Sequence, residues 1–223
     1  MADVVDRTDR AKPFAPSNPP PATEARRAAL RARRWAGGLA LAFVAVAALV
    51  GLGATEGIDE AISRLALTVA SEPFDLPASI FNIVGQMEVT ALVALILSFV
   101  WWRRHGTRGL VPMLLFAGVA IEIVLKHLVQ HPSPPTELSR SIPLLPFAHS
   151  SSPYSFPSGH MLRVTFLAAL MTPQSVFWAL AGAMALTRIY LHEHWASDVV
   201  GGFLLGTALA GLAASLYASA PDA

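Results

Sequence analysis

Two short motifs near the C-terminal end of the chain carry residue types that can act on a phosphate group. The first is the string Pro-Ser-Gly-His at positions 157–160. The second occupies positions 187–198, where Thr-Arg is followed after five residues by a histidine and after three more by an aspartate. Together they supply the groups that bind a phosphate, attack its phosphorus and protonate a leaving group.

The first motif is expected to open a helix. Proline suits the first helical turn, and the free backbone N–H groups at a helix start form an anion site. Ser158 adds a hydroxyl, and Gly159 lets the backbone approach the anion closely. His160 then lies beside the bound anion, although such a string is also compatible with a simple helix start.

The second motif supplies a cation and a paired histidine. Arg188 is predicted to close a helix, and its guanidinium can bind phosphate through two hydrogen bonds. His194 and Asp198 are four residues apart, so they share one face of a helix start. Asp198 can accept a hydrogen bond from one ring nitrogen of His194 and leave the other nitrogen as the nucleophile.

The composition indicates a polytopic membrane protein. Of the 223 residues, 54% are hydrophobic and 14% are charged, whereas soluble domains carry about 25% charged residues. The net charge of +1 gives no reason to expect a nucleic-acid partner. The absence of cysteine excludes disulfides and thiolate metal sites, and the arginine-rich, lysine-poor usage hints at a bacterial source.

The apolar segments predict an all-α membrane bundle of about six transmembrane helices. We expect residues 1–34 to form a disordered cytoplasmic tail, residues 35–218 the membrane domain and residues 219–223 a short cytoplasmic tail. An amphipathic surface helix is predicted at about residues 57–72. The six spans are predicted at about residues 35–54, 81–102 and 110–129, from residue 157, and at about 174–191 and 195–217.

The arginines predict the orientation of these spans. A basic cluster at residues 26–34 precedes the first span, and three arginines lie between the second and third spans, at positions 103, 104 and 108. Positive loops face the cytoplasm, so the N-terminus is expected inside. Both motifs then fall at the extracytoplasmic face, together with Lys126, the only lysine beyond the N-terminal tail.

The two motifs resemble those of the type 2 phosphatidic acid phosphatase superfamily, lipid phosphate phosphatases that share a fold with vanadium haloperoxidases. That family has three motifs: KxxxxxxRP, PSGH and SRxxxxxHxxxD. The second is intact at residues 157–160, and the third is intact except that Thr187 replaces serine. The motifs cover residues 126–198, and the six-span layout extends the resemblance to about residues 35–218.

The first motif departs from the family pattern. Lys126 and Pro134 align with its lysine and proline, but Ser133 stands where the family has an arginine that contacts phosphate. Arg163 could replace that guanidinium or bind a second phosphate, or it could form a structural ion pair with Glu88 or Glu122. Arg140 is a second substitute, with a solvated loop arginine as the simpler interpretation.

The resemblance implies a mechanism without metal or cofactor. His194 would form a phosphohistidine, Asp198 would orient it, and His160 would protonate the leaving oxygen and then activate water. Lys126, Arg188, Ser158 and Gly159 would hold the phosphate oxygens, and Arg163 is included as a further phosphate ligand. The implied partners are the bilayer and a lipid phosphate, such as undecaprenyl or another polyprenyl diphosphate or phosphatidate.

Three alternatives remain open from the sequence. A pseudoenzyme that binds lipid phosphates without hydrolysing them would explain Ser133. A soluble haloperoxidase would use similar residues, but six apolar spans argue against it. A transporter would leave the motifs unexplained, and the chain shows no evident internal repeat of the kind many transporters have.

Overall fold

The computed structural model describes residues 22–144 and 152–219. These ranges form eight α-helices joined by short 3₁₀ turns and loops. Within the described residues, an isolated antiparallel β-bridge joins Pro132 to Tyr154. The helices are α1 (Ala22–Gly51), α2 (Glu56–Val69), α3 (Asp75–Asn82), α4 (Met87–His105), α5 (Leu114–Val129), α6 (Gly159–Met171), α7 (Gln174–Tyr190) and α8 (Ala196–Ser219).

The first helix begins earlier than the sequence interpretation placed it. Residues 22–34, assigned above to a disordered tail, form the start of α1, while residues 1–21 lie outside the described ranges. The physical reason is local composition, since this stretch is rich in alanine and arginine and contains no proline or glycine. These residues favour helix, so the basic cluster extends the apolar helix instead of preceding it.

The predicted surface helix corresponds to α2, which turns its apolar side outward. Ile58, Leu65 and Val69 are exposed, whereas Asp59 is buried. Its carboxylate accepts hydrogen bonds from the backbone nitrogen and the hydroxyl of Ser197, at 2.8 and 2.7 Å. An acidic group at a helix N-terminus is favourable, so Asp59 fixes the start of α8.

The predicted second span corresponds mainly to α4, which begins a few residues later than expected. The short helix α3 ends at Asn82, a 3₁₀ turn covers Ile83–Gly85, and α4 begins at Met87. A second 3₁₀ segment, Gly106–Met113, contains Pro112 and packs back against α4 before α5 begins. The arginines at 103 and 104 therefore lie in the last turn of α4, where cations are favoured.

Helix α6 lies at the centre of the bundle. Ten of its thirteen residues are buried, and it contacts α4, α5, α7 and α8. Leu162 and Phe166 belong to its core, where they pack with Leu115 of α5 and with Phe156. Helix α1 packs along α8 on the outside of this core. A helix enclosed by protein needs no lipid-facing surface, and its start can therefore carry polar groups.

Three stretches of the described chain are long and apolar enough to cross a membrane. They are Arg26–Gly51, Met87–Val129 and Ala196–Ser219, and Gly159–Met171 is a shorter apolar helix. The structure thus confirms an all-helical architecture built for a bilayer.

Candidate active site

The predicted site residues converge on one cavity. It has a volume of about 720 Å³ and lies where the starts of α4, α6 and α8 meet the ends of α3, α5 and α7. Six of the eight predicted residues line it: Lys126, Gly159, His160, Arg163, Arg188 and His194. The other two, Ser158 and Asp198, are buried directly behind its wall.

The aspartate of the second motif holds the predicted nucleophile. Oδ2 of Asp198 lies 3.2 Å from Nδ1 of His194 and also accepts a hydrogen bond from the backbone nitrogen of Trp195, at 2.9 Å. The carboxylate is completely buried. An imidazole that donates its Nδ1 proton to this carboxylate keeps an unprotonated Nε2, which is the nucleophilic form.

The start of α6 forms the floor of the cavity. Ser158 is the residue before the helix, and its backbone nitrogen donates to the carbonyl of Asp198 at 3.0 Å. This bond ties the two motifs together through the backbone. The first N–H groups of α6 have no helical partner, so they are free for an anion in the cavity.

Three buried polar atoms on the predicted site residues have no hydrogen-bond partner among the described residues. They are Oγ of Ser158, Nε2 of His160 and Nε of Arg188. A buried polar atom without a partner is destabilising by about 1–3 kcal/mol, and such atoms are uncommon in native proteins. A hydroxyl, an imidazole and a guanidinium nitrogen together suit the oxygens of a phosphate group.

The lysine predicted to bind phosphate is positioned by Glu122. Nζ of Lys126 lies 3.1 Å from Oε1 of Glu122, and Nη1 of Arg163 donates to Oε2 at 3.0 Å. Nε of Arg163 also donates to the carbonyl of Gly85, at 3.1 Å. Arg163 was considered above as either a phosphate ligand or a partner in a structural ion pair. Its contacts match the ion pair, and its partner is Glu122.

Arg188 reaches the cavity from the last turn of α7. Its Nη1 donates a short hydrogen bond to the side-chain oxygen of Asn82, and its Nη2 lies 3.7 Å from Glu193. These contacts hold two edges of the guanidinium and leave Nε unpartnered, as noted above. Arg188 is only 4% exposed, so its charge acts in a poorly hydrated environment, where electrostatic interactions are strengthened.

Ser133 and Arg140, the two residues connected with the altered first motif, form their hydrogen bonds with residues other than the predicted phosphate ligands. Oγ of Ser133 donates to the carbonyl of Ser152 at 3.2 Å, although Ser133 does line the cavity. Arg140 makes two hydrogen bonds of 2.8 Å to Asp75, and its guanidinium lies over the ring of Tyr190. Arg140 is therefore engaged in fixing the loop against α3 and α7.

Sequence reasoning missed three residues that shape the site. The side-chain oxygen of Asn82 accepts a hydrogen bond from Arg188, and the carbonyl of Gly85 accepts one from Arg163. His131 binds the free oxygen of Asp198, with Nδ1 2.9 Å from Oδ1. Only His131 had a signal, because it lies inside the first motif, between Lys126 and Ser133. Asn82 and Gly85 lie in a turn whose neighbours in space are distant in sequence.

The pKa values of the two histidines that contact Asp198 are shifted in opposite directions. Burial lowers the pKa of His194, Arg188 and Lys126 act in the same direction, and the hydrogen bond to Asp198 offsets only part of this effect. Burial also opposes protonation of His131, but the hydrogen bond and charge of Asp198, with Asp59 and Glu56, outweigh it and raise its pKa. His194 is thus the more easily neutral of the pair.

Comparisons with known proteins identify related phosphatases. The PAP2 superfamily profile matches residues 109–221. Phosphatidylglycerophosphatase B of Bacillus subtilis (strain 168) is 28% identical over 190 residues, which cover 77% of this chain and 89% of that protein. A shorter match of 74 residues is 35% identical and relates 30% of this chain to 36% of the undecaprenyl-diphosphatase of Sulfolobus acidocaldarius.

A solved structure shares the fold. The crystal structure of a transmembrane PAP2 type phosphatidylglycerolphosphate phosphatase from Bacillus subtilis superposes with a TM-score of 0.65, at 23% identity, over 80% of this chain and 93% of that one. The superfamily profile spans half of the chain and contains the second and third motifs. The chain therefore belongs to the PAP2 superfamily and is an integral membrane phosphatase.

Proposed function

We propose that this protein hydrolyses a lipid phosphate through a phosphohistidine formed on His194. One observation carries the proposal: three predicted site residues at or behind the cavity wall have an unpartnered buried polar atom, and they accompany a histidine whose other nitrogen faces a buried carboxylate. The first set fits the oxygens of a phosphate, and the second fits in-line attack on its phosphorus.

Phosphate binding is assigned to the cations and the helix start. Lys126 and Arg188 contribute positive charge, and Ser158 and the backbone N–H groups at Gly159 contribute hydrogen-bond donors. Arg163 acts one step further away, since it shares the Glu122 carboxylate with Lys126. In this assignment Arg163 keeps Glu122 oriented and so fixes the lysine.

In the first chemical step, Nε2 of His194 forms a bond to phosphorus. The bond from phosphorus to the lipid oxygen breaks, and its electron pair goes to that oxygen. His160 donates a proton to it, so the lipid leaves as an alcohol or, from a diphosphate, as a monophosphate. Asp198 stabilises the positive charge that develops on the imidazole.

In the second step, water replaces the histidine. His160, now unprotonated, accepts a proton from the water as the water oxygen forms a bond to phosphorus. The phosphorus–nitrogen bond breaks, and its electrons return to Nε2 of His194. Inorganic phosphate leaves, and both histidines regain their starting protonation states. Fixed cations and amide dipoles supply the charge stabilisation throughout, so the proposed reaction is independent of metal ions.

The substrate class is proposed from the relatives. Their names include phosphatidylglycerophosphatase and undecaprenyl-diphosphatase, so both phospholipid monophosphates and polyprenyl diphosphates belong in the test. Both kinds of lipid place a phosphate at the headgroup level, with the tails in the bilayer. The cavity, at the joined ends of six helices, suits a phosphate presented at that depth.

The membrane arrangement is proposed as six spans, with the N-terminus in the cytoplasm and the active site outside. Met87–Val129 contains 43 residues, about 65 Å of helix at 1.5 Å per residue, which is twice the thickness of a bilayer core. The 3₁₀ segment packs back on α4, so this stretch supports two crossings. Helices α6 and α7 complete the count beside α1 and α8.

The test is phosphate release by the detergent-purified protein. The substrates are an undecaprenyl diphosphate, a phosphatidate and a phosphatidylglycerol phosphate, each assayed with EDTA. We expect EDTA-resistant release from at least one lipid. His194→Ala should reduce it by at least ~10⁴-fold, the size of effect seen when a nucleophile is removed. Wild-type protein quenched during turnover in an alkaline denaturant should carry an acid-labile, base-stable phosphate.

The matched control is His127→Ala. His127 is an exposed histidine at the same end of the bundle, and its Nδ1 contacts only the carbonyl of Ile123 among the hydrogen bonds of the described chain. It should retain wild-type release. A folded protein that releases phosphate from none of these lipids would contradict the proposal and favour a lipid-phosphate-binding pseudoenzyme.

A further inference from the structure

We propose that His131 is a positioning residue of this active site, which holds Asp198 so that the carboxylate is correctly aimed at His194. The inference rests on the proposed role of His194 as nucleophile. It concerns a residue outside the invariant positions of the three motifs quoted above, which was not among the predicted site residues. His131 is not among the residues that line the cavity.

The carboxylate of Asp198 is fully engaged, and each oxygen has a different task. Oδ1 lies 2.9 Å from Nδ1 of His131. Oδ2 accepts a hydrogen bond from the backbone nitrogen of Trp195 at 2.9 Å and lies 3.2 Å from Nδ1 of His194. A carboxylate can rotate about its last side-chain bond, and a partner on each oxygen stops that rotation. His131 therefore fixes the plane in which Oδ2 meets the nucleophile.

His131 is itself held firmly enough to act as a support. It is 9% exposed, and its carbonyl accepts a hydrogen bond from the backbone nitrogen of Ser155 at 2.9 Å. The indole nitrogen of Trp195 donates to the carbonyl of Pro132 at 2.7 Å, and the Trp195 and His131 rings are in contact. The loop, α8 and the imidazole thus form one connected unit.

The charged groups around His131 are acidic. Asp198 faces it from α8, and Asp59 and Glu56 act on it from α2. Glu60 joins them in lining a small cavity of about 180 Å³ on the side of His131 away from the phosphate site. This environment favours a positive charge on the imidazole, in agreement with its raised pKa. A protonated His131 neutralises part of the Asp198 charge.

The effect on His194 follows from sharing one carboxylate. His194 faces Asp198, Arg188, Lys126 and His160, of which only Asp198 favours its protonated form. When His131 takes part of the Asp198 charge, less remains to stabilise a proton on His194. Without His131, the pair of His194 and Asp198 should take up a proton more readily. The acid side of the pH profile should then move to higher pH.

The experiment compares His131→Leu with His131→Asn. Leucine removes the hydrogen bond to Asp198, and we expect kcat to fall by ~10- to 100-fold with little change in KM, as for other residues that orient catalytic groups. The acid limb of the pH profile should shift upward. Asparagine places an amide N–H near the position of Nδ1, so it should restore kcat to within a few-fold of wild type.

A second readout is independent of turnover. NMR titration of the histidine side chains in micelles should show the pKa of His194 raised in His131→Leu and unchanged in the control His127→Leu. A structural defect alone would lower the thermal midpoint without moving this pKa, and asparagine would not rescue it.

The outcomes separate this inference from the proposed function. Wild-type kcat and an unshifted His194 titration in His131→Leu would overturn the positioning role, while activity on lipid phosphates would stand. If wild-type protein hydrolyses no lipid phosphate, the proposed function fails. The NMR titration would still decide whether His131 controls Asp198.

Discussion

At the scale of single residues, Glu122 positions two of the cations at the site. It is 7% exposed and lies between Lys126 and Arg163. A buried carboxylate between two cations is stabilised by both, and removing one partner would leave an uncompensated buried charge. The shared pairing explains how a lysine can be held still beside a phosphate site although its side chain has four rotatable bonds.

The same carboxylate explains why position 159 is glycine. A Cβ atom on Gly159 would overlap the carboxylate of Glu122. Gly159→Ala should therefore displace Glu122, disturb both of its ion pairs and destabilise the protein by about 1–3 kcal/mol. We expect phosphate release to fall at least tenfold, measured together with the thermal midpoint in detergent.

The matched control is Gly182→Ala in α7. No atom lies within 4 Å of a Cβ built at Gly182, so this variant should retain activity and keep or slightly raise the midpoint, since alanine favours helix over glycine. Equal activity of Gly159→Ala and wild type would show that the position of Glu122 does not matter to catalysis.

At the scale of helices, the site depends on the close approach of α6 and α8. These helices carry the two intact motifs, and their starts are joined by the bond from Ser158 to the carbonyl of Asp198. Gly206 allows the approach further along, because a Cβ there would overlap the carbonyl oxygen of Leu162 and the hydroxyl of Thr165. Small residues at helix contacts are typical of membrane bundles.

Gly206→Ala is expected to push α8 away from α6. The obstructing atom at Leu162 is backbone, so it cannot move aside at small cost. We predict a loss of about 1–3 kcal/mol in stability. We also expect a lower kcat, because His160 lies at the start of α6 and His194 just before α8, so separating these helices separates the two histidines. Thermal unfolding in detergent and lipid phosphate release measure the two effects. An unchanged midpoint would contradict the packing argument.

At the scale of the whole molecule, the arginines at the end of α4 and the candidate active site lie at opposite ends of the bundle. Arg103 and Arg104 end α4, whereas the cavity lies at the start of that helix, beside Met87. The cavity also lies at the end of α5, which begins beyond the arginine-rich turn. In the proposed topology the positive turn faces the cytoplasm, which puts the proposed phosphate site on the outer side.

The absence of cysteine from the sequence makes the orientation directly measurable. Glu137→Cys, in the loop that lines the active-site end, should react with an impermeant maleimide on intact cells. Thr107→Cys, in the exposed 3₁₀ turn, should react only after the membrane is permeabilised. The opposite pattern would place the active site in the cytoplasm and overturn the proposed topology.

Much of the site could be predicted from the sequence because it depends on local spacing. His194 and Asp198 are four residues apart, so a helix start brings them together whatever surrounds them. The position of Ser158 before α6 follows in the same way from the proline and glycine around it. The start of α1 was misplaced for a related reason, since charged residues were taken as loop although alanine and arginine favour helix.

Contacts between distant segments could not be predicted in this way. The two readings of Arg163 were equally compatible with its position, and only packing of α6 against α5 shows that Glu122 is the partner. His131 lies inside the first motif, but its contact with Asp198 exists only because the loop packs against α8. The contacts between residues 131 and 198 and between residues 82 and 188 join segments that are far apart in sequence. No local pattern predicts them, because they form only when the helices of the bundle pack together.

By itself, therefore, the sequence determined the class of molecule and the chemical groups it carries. Apolar composition requires a membrane, and short-range spacing fixes the motifs, since both depend on properties that each segment has alone. The tertiary structure decided which carboxylate neutralises which cation, which polar atoms remain free, and that a second histidine supports Asp198. Those features depend on burial and distance, which exist only once separate helices have packed together.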